Sequence, residues 1–187
     1  KFSHPDPTVK RKSGLLAPSF TNSNTLGTGF GVPYFWNLGN DRDLTISPKL
    51  YLNENPLVLA EYRQDFKNSF LVVDAGYTQG YKKTDSKKTE GGRAHFFTKF
   101  TTKLIDEKNK TSDLKITSEK VSNDTYLKVY DVDTLLIEKS QSVLENSIDY
   151  SYQNKDFFLT FSPTMYEDTR KSGHLRNEYL LPMTVEK

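Results

Sequence analysis

Long segments in which apolar and polar side chains alternate constrain this chain more than any other feature. Leu44, Ile46, Pro48, Leu50 and Leu52 alternate with Thr45, Ser47, Lys49 and Tyr51. Val58, Ala60, Tyr62 and Phe66 share a face against Glu61, Arg63 and Asp65, and Leu71, Val73, Ala75 and Tyr77 oppose Asp74, Gly76 and Thr78. Ala94, Phe96, Phe100 and Leu104 stand against His95, Lys99, Thr101 and Lys103. Leu144, Ile148, Tyr150 and Tyr152 stand against Glu145, Ser147, Asp149 and Ser151. A period of two belongs to β-strands, and little helical period is present.

The runs are about ten residues long, beyond the usual length of about five or six in a soluble sheet. At about 3.3 Å per residue such a strand is roughly 33 Å long. Tilted by about 40°, it spans about 25 Å, the height of the apolar band of an outer-membrane barrel. The pattern predicts about nine strands with hairpin turns between them: 28–37, 43–53, 57–66, 70–79, 93–105, 113–120, 143–154, 157–167 and 176–182. The fold class expected is all-β, an antiparallel up-and-down sheet. Two connections are long, 80–92 and 121–142, and strand parity puts both at the same end as the turn 53–56. Residues 1–20, rich in proline and basic side chains, read as a lead-in, and 21–187 as the sheet.

Composition agrees. Hydrophobic residues make up only 35% and charged ones 27%, yet aromatics reach 13%. That is too aromatic for a disordered chain and too poor in aliphatics for a two-layer core. A sheet with one apolar and one wet face satisfies both facts. The net charge of +2 supplies no global field for nucleic acid. A local excess of cations, Lys82, Lys83, Lys87, Lys88 and Arg93 against Asp85 and Glu90, reads as a solvated loop. There is no cysteine, hence no thiol chemistry and no cysteine zinc site. No apolar run approaches the roughly 20 residues of a membrane helix, and the opening KFSHPDP has no apolar centre of a signal peptide.

Two prolines, Pro33 and Pro48, fall inside neighbouring strands. Proline cannot donate to a ladder and belongs on edges or at weakened pairings, so the pair marks a sheet whose seam is meant to be weak. Gly27, Gly29 and Gly31 do not form a phosphate loop, because Val32 replaces the third glycine and no helix follows. They leave a stripe without side chains, suited to close packing or to a functional gap. Tyr34, Phe35 and Trp36 end the same strand. Three aromatics in succession cannot all face a core, and amphipathic rings concentrate at membrane–water interfaces. Lys10, Arg11 and Lys12 are either a solvated lead-in or cations meeting an anionic substrate.

His4, His95 and His174 lie on separate elements without metal-ligand spacing, and each reads as solvated or lumenal. Asp131 and Asp133 read as a turn-forming pair, and no nucleophile–base motif occurs. No catalytic residue, metal or cofactor is expected.

The string PDPTVKRKSGLLAPSF, followed by VPYFWNLGNDRDLTISPKLY, resembles the LptD or organic-solvent-tolerance family of outer-membrane lipopolysaccharide-assembly proteins. In that family a basic pair with Ser-Gly-Phe-Leu-x-Pro leads into the barrel, here 11–18. An x-Pro-Tyr-Tyr-Trp-Asn strand and an Asp-x-Thr-x-x-Pro strand follow, here 32–37 and 43–48. Leu15, Ala17 and the pair Leu38-Gly39 depart from the pattern but leave both prolines in place. DTYLKVYDVD and LENSIDYSYQ also look like family segments, so the resemblance extends along the chain.

The resemblance implies a transmembrane barrel of about two dozen strands in the outer membrane of a Gram-negative bacterium. Such a barrel is plugged by an LptE-like lipoprotein and fed lipopolysaccharide by a periplasmic Lpt bridge through a preceding domain. Pro33 and Pro48, with the glycine stripe, would then line a lateral gate, and Lys10, Arg11 and Lys12 the lipopolysaccharide path. About nine strands cannot close so large a barrel, so the chain reads as an open fragment from the N-terminal part of it. The competing readings are a generic outer-membrane porin or receptor, an outer-membrane hydrolase, and a soluble β-sandwich module.

Overall fold

The computed structural model describes residues 11–52, 54–80 and 91–187. The strands are β1 (Gly14–Leu15), β2 (Ser19–Ser23), β3 (Gly27–Gly31), β4 (Tyr34–Asn37), β5 (Arg42–Tyr51), β6 (Leu57–Asp65) and β7 (Ser69–Thr78). They continue with β8 (Arg93–Glu107), β9 (Lys110–Val121), β10 (Val143–Asn154), β11 (Phe158–Phe161), β12 (Thr164–Asp168), β13 (Asn177–Leu180) and β14 (Met183–Glu186). One helical turn, α1 (Tyr126–Val129), lies between β9 and β10. All strands join one antiparallel sheet that does not close into a barrel.

Register explains why there are more strand segments than the alternation predicts. β3 and β4 meet β5 in a single register, Gly31 opposite Lys49 and Tyr34 opposite Ile46. They are one strand broken at residues 32 and 33. β11 and β12 likewise share one register on β10, broken at 162 and 163. β13 and β14 are broken at 181 and 182. Each break contains a proline, Pro33, Pro163 or Pro182, whose nitrogen has no hydrogen for the ladder. Alternation sees none of this, because proline is apolar and keeps the period.

The lead-in also differs from expectation. β1 pairs with β4, Gly14 opposite Phe35, and β2 pairs with β3, Ser19 opposite Gly31. The segment thus adds an outer strand to the sheet, and the boundary expected at residue 20 falls inside β2.

One face carries the apolar residues in cross-strand rows, such as Pro48, Val58, Tyr77 and Ala94. Its large side chains are open, Leu50 at 56%, Tyr77 at 54% and Ile148 at 48% exposure. The other face buries Asp43, Asp74, His95 and Glu119. A soluble antiparallel sheet hides its apolar face and wets the polar one. This sheet does the reverse, as a barrel wall in lipid does.

The core sits at one end of the polar face. The 122–142 connection folds over it and packs Tyr126, Leu127, Tyr130, Val132 and Ile137 against Leu26, Leu57 and Phe97. Leu144, expected beside Ile148, is fully buried in this cluster. The reason is that β10 pairs with β9 only from Asn146, opposite Ser118. There the Asn146 amide replaces the ladder: its Oδ1 accepts from Glu119 N (3.2 Å) and its Nδ2 donates to Glu119 O (3.2 Å).

Candidate lateral seam

The direction of each proline nitrogen follows from ladder parity. In an antiparallel pair, opposed residues alternate between exchanging two hydrogen bonds and exchanging none. Leu52 N donates to Thr28 O at 3.0 Å, so even-numbered residues of β5 bond toward β3 and β4. Asp65 N donates to Asp41 O at 2.7 Å, so odd-numbered ones bond toward β6. Pro48 is even and lies opposite Val32. Its missing hydrogen is therefore the one due to the Val32 carbonyl, and its pairing with Val58 on β6 loses nothing.

Pro33 faces the other way. Leu16 N donates to Pro33 O at 2.8 Å, and the return bond from the Pro33 nitrogen cannot form. The two prolines therefore notch successive interfaces: Pro33 the one between lead-in and first strand, Pro48 the one between first strand and β5. Their losses do not add on a single seam, as the sequence alone suggested.

The glycine stripe is filled rather than open. A Cβ on Gly29 would lie 2.5 Å from Thr21 Oγ1 and 2.8 Å from the Tyr51 ring. One on Gly31 would lie 2.9 Å from Ser19 Oγ and 3.2 Å from the Pro48 carbonyl oxygen. The lead-in strand and Tyr51 approach so closely that a side chain has no room. Gly27, at φ 75, turns the chain from β2 into β3. Of the three aromatics, Tyr34 and Trp36 are exposed on the apolar face. Phe35 points to the other, where with Leu16, Ser47, Arg63, Asp133 and Leu135 it lines a cavity of about 370 Å³ beneath the 122–142 connection, which caps this face.

Arg11 is held by the sheet. Its guanidinium donates to Asp43 Oδ2 at 3.0 Å, while Arg63 Nε donates to Asp43 Oδ1 at 2.8 Å. Both oxygens of a carboxylate only 3% exposed are thus satisfied, which is the condition for burying such a charge. The Arg11 carbonyl accepts from Asn37 Nδ2, and Ser13 Oγ from Asn37 N. Lys12 is exposed, and Lys10 lies outside the described residues, as do Lys82, Lys83, Lys87 and Lys88.

Alternation did not reveal the group that anchors the cap. His95 hydrogen bonds Asp74 through Nε2 and the Tyr126 hydroxyl through Nδ1 at 3.0 Å, and it stacks on Phe97 with ring centres 4.5 Å apart. Gly76 makes this possible, since a Cβ there would lie 2.6 Å from the imidazole and 2.8 Å from the Tyr126 oxygen. Burial pushes the Tyr126 phenol well above its ordinary pKa. Asp74, His95 and Tyr126 are all nearly inaccessible, so the line joins cap to wall and is closed to a substrate. The expectation of a solvated or lumenal His95 holds only for its face. The one local hint is Phe97, an apolar side chain two residues from His95 at a position of β8 where the alternation calls for a polar one. The cap also reaches β5, where Lys49 Nζ donates to the Asp131 carbonyl at 3.3 Å and Tyr51 meets Tyr130 edge-on at 6.3 Å.

No family model matches the chain. It is similar to the LPS-assembly protein LptD of Nitrosococcus oceani, 31% identical over 152 residues, which are 77% of this chain and 18% of that protein. The LPS-assembly protein LptD of Legionella pneumophila (strain Paris) is 24% identical over 156 residues, 79% of this chain and 18% of the relative. That of Pseudoalteromonas translucida is 31% identical over 135 residues, 72% of this chain and 17% of the relative. The chain is LptD-like. This LptD-like chain spans about 18% of the length of the first two relatives. Its open all-β sheet agrees with a piece of a larger barrel.

Proposed function

We propose that this chain forms part of the wall of an outer-membrane barrel that inserts lipopolysaccharide into the outer leaflet of a Gram-negative cell. The carrying observation is the notch at Pro48, a ladder donor deleted inside a continuous strand of a chain whose relatives are LPS-assembly proteins. Such a wall separates the two halves of an amphipathic glycolipid. Its buried polar side takes the sugars, its apolar face meets acyl chains, and a seam lacking ladder bonds lets the acyl chains leave sideways. Each missing bond is worth about 0.5–1.5 kcal/mol net, enough to shift an opening equilibrium about two- to tenfold.

The process moves a preassembled lipid and makes no covalent bond. Arg11, fixed by Asp43, and Lys12 stand at the entry of the path, and Lys10 continues the basic triplet in sequence. An LptE-like lipoprotein would plug the lumen, and a periplasmic Lpt bridge would deliver substrate through a domain ahead of the lead-in.

The test uses the full-length protein in cells. Photocrosslinking residues at Phe35 and Ser47 should capture lipopolysaccharide during transport; a generic porin or receptor would capture none. Replacing Pro33 and Pro48 with Ala should make the barrel harder to unfold while lowering surface lipopolysaccharide and raising detergent sensitivity. Unchanged export in that double variant rejects the gate.

A further inference from the structure

The proline notch occurs twice. At the far side of the sheet, Ile148 N donates to Pro163 O at 3.1 Å, and Ser162 N donates to Pro182 O at 3.0 Å. Neither return bond can form, because neither proline has a hydrogen on nitrogen. Pro163 thus fails to donate to β10, and Pro182 fails to donate to the strand made of β11 and β12.

The first notch has the same arrangement. Pro33 fails toward the strand before it, and Pro48 toward the strand that holds Pro33. The offset is also the same, since Pro48 lies opposite Val32, one residue before Pro33, and Pro182 opposite Ser162, one residue before Pro163. Between the notches, β5 from Lys49 onward and β6 to β10 form a run without another proline inside a strand. Their registers are continuous apart from the shift near Leu104.

We infer that Pro163 and Pro182 form a hinge line in the wall, so that β5 to β10 swing as one stiff panel when the first seam opens. A closed sheet cannot part at one seam without bending elsewhere. Bending costs least where rungs are missing, because a deleted donor removes the bond that resists separation while the strand register persists. The 122–142 cap stiffens the panel between the two lines, tied to β8 by His95 and Tyr126 and to β5 by Lys49. Arg176, in the turn between β12 and β13, reaches Asp124 of the cap at 2.7 Å and Glu167 at 2.8 Å, which pins one end of the line and leaves the bend to the other end. The inference rests on reading the sheet as a barrel wall with a seam at Pro33 and Pro48.

The experiment locks the second line in the assembled full-length barrel. Ser147 and Thr164 are directly opposed in a pair that exchanges no hydrogen bonds, the closer kind of cross-strand pair. The variant Ser147→Cys/Thr164→Cys, oxidised after assembly, should cut lipopolysaccharide delivery severalfold and recover on reduction. The control Val73→Cys/Thr98→Cys, opposed within the panel, should leave delivery unchanged. A second variant, Pro163→Ala/Pro182→Ala, should slow amide exchange at Ile148 and Ser162 by about two- to tenfold and lower delivery without loss of folded barrel. Normal delivery by the locked protein, with delivery still impaired by Pro33→Ala/Pro48→Ala, overturns the hinge and leaves the seam standing. Normal delivery in both overturns the hinge together with the proposed function.

Discussion

The first hairpin, β3 to β5, and strands β6 to β9 inside the panel carry the same alternation and the same inside-out burial, yet their ladders differ. In the panel every residue of β6 from Leu57 to Asp65 has an opposed partner on β7. In the hairpin the pairing lapses at Val32 and Pro33 although the register does not slip. Side-chain pattern therefore decides which face meets which phase, while backbone donors decide where the wall can part. The lesson is that a wall can be weakened along one line with no change in what it shows to lipid.

The largest expected effect tests the shared feature. Arginine at Val58 or Val73, on the apolar face of the panel, should cost about 2–4 kcal/mol near the bilayer midplane. Arginine at Thr101 on the polar face should stay within about 0.5 kcal/mol, both read from folding of the full barrel into bilayers. Equal damage at both faces would dismiss the lipid-facing assignment. Asp74 is not a tolerant control, since its carboxylate is buried against His95.

Next comes the cap, tied to β8 through His95 and to β5 through Lys49 and Tyr51. Tyr126→Phe leaves a buried imidazole nitrogen without its partner and should cost about 1–3 kcal/mol, measured as faster proteolysis within 122–142. Because the folded protein raises the Tyr126 pKa, the cap's stability is complete below the phenol's ordinary 10.0 and declines as pH rises past it. A cap whose proteolysis does not change between neutral and strongly alkaline pH would contradict the buried phenol.

A smaller effect separates the two prolines. Pro48→Ala should strengthen the β3–β4 pairing with β5 by about 0.5–1.5 kcal/mol and slow amide exchange around Val32, leaving Leu16 as it was. Pro33→Ala should do the opposite. A common response at both places would mean that the two notches act on one interface after all. The smallest effect concerns the lead-in. Arg11→Ala removes an arginine that is 61% exposed and leaves Arg63 on the buried Asp43, so it should cost about 0.2–1 kcal/mol, whereas Lys12→Ala should be silent in a chemical unfolding curve.

Much of the fold is legible in the residue pattern. The strand positions, the long segments and the apolar face follow from a period of two, because side-chain direction along a strand is a local property. Leu44 through Leu52 predict their own face. The long connection after β9 is visible as a loop, and its end of the sheet follows from counting strands.

What the tertiary structure alone decided depends on partners far away in sequence. Whether Pro48 weakens its bond to Val32 or to Val58 is a matter of pairing parity, which no single strand contains. Asp43 becomes a buried anchor only because Arg11 and Arg63 come from two other segments. His95 becomes the tie of the cap only because Gly76 leaves room for Tyr126, 31 residues on. Alternation fixes faces from neighbours in sequence; pairing, notches and anchors come from neighbours in space.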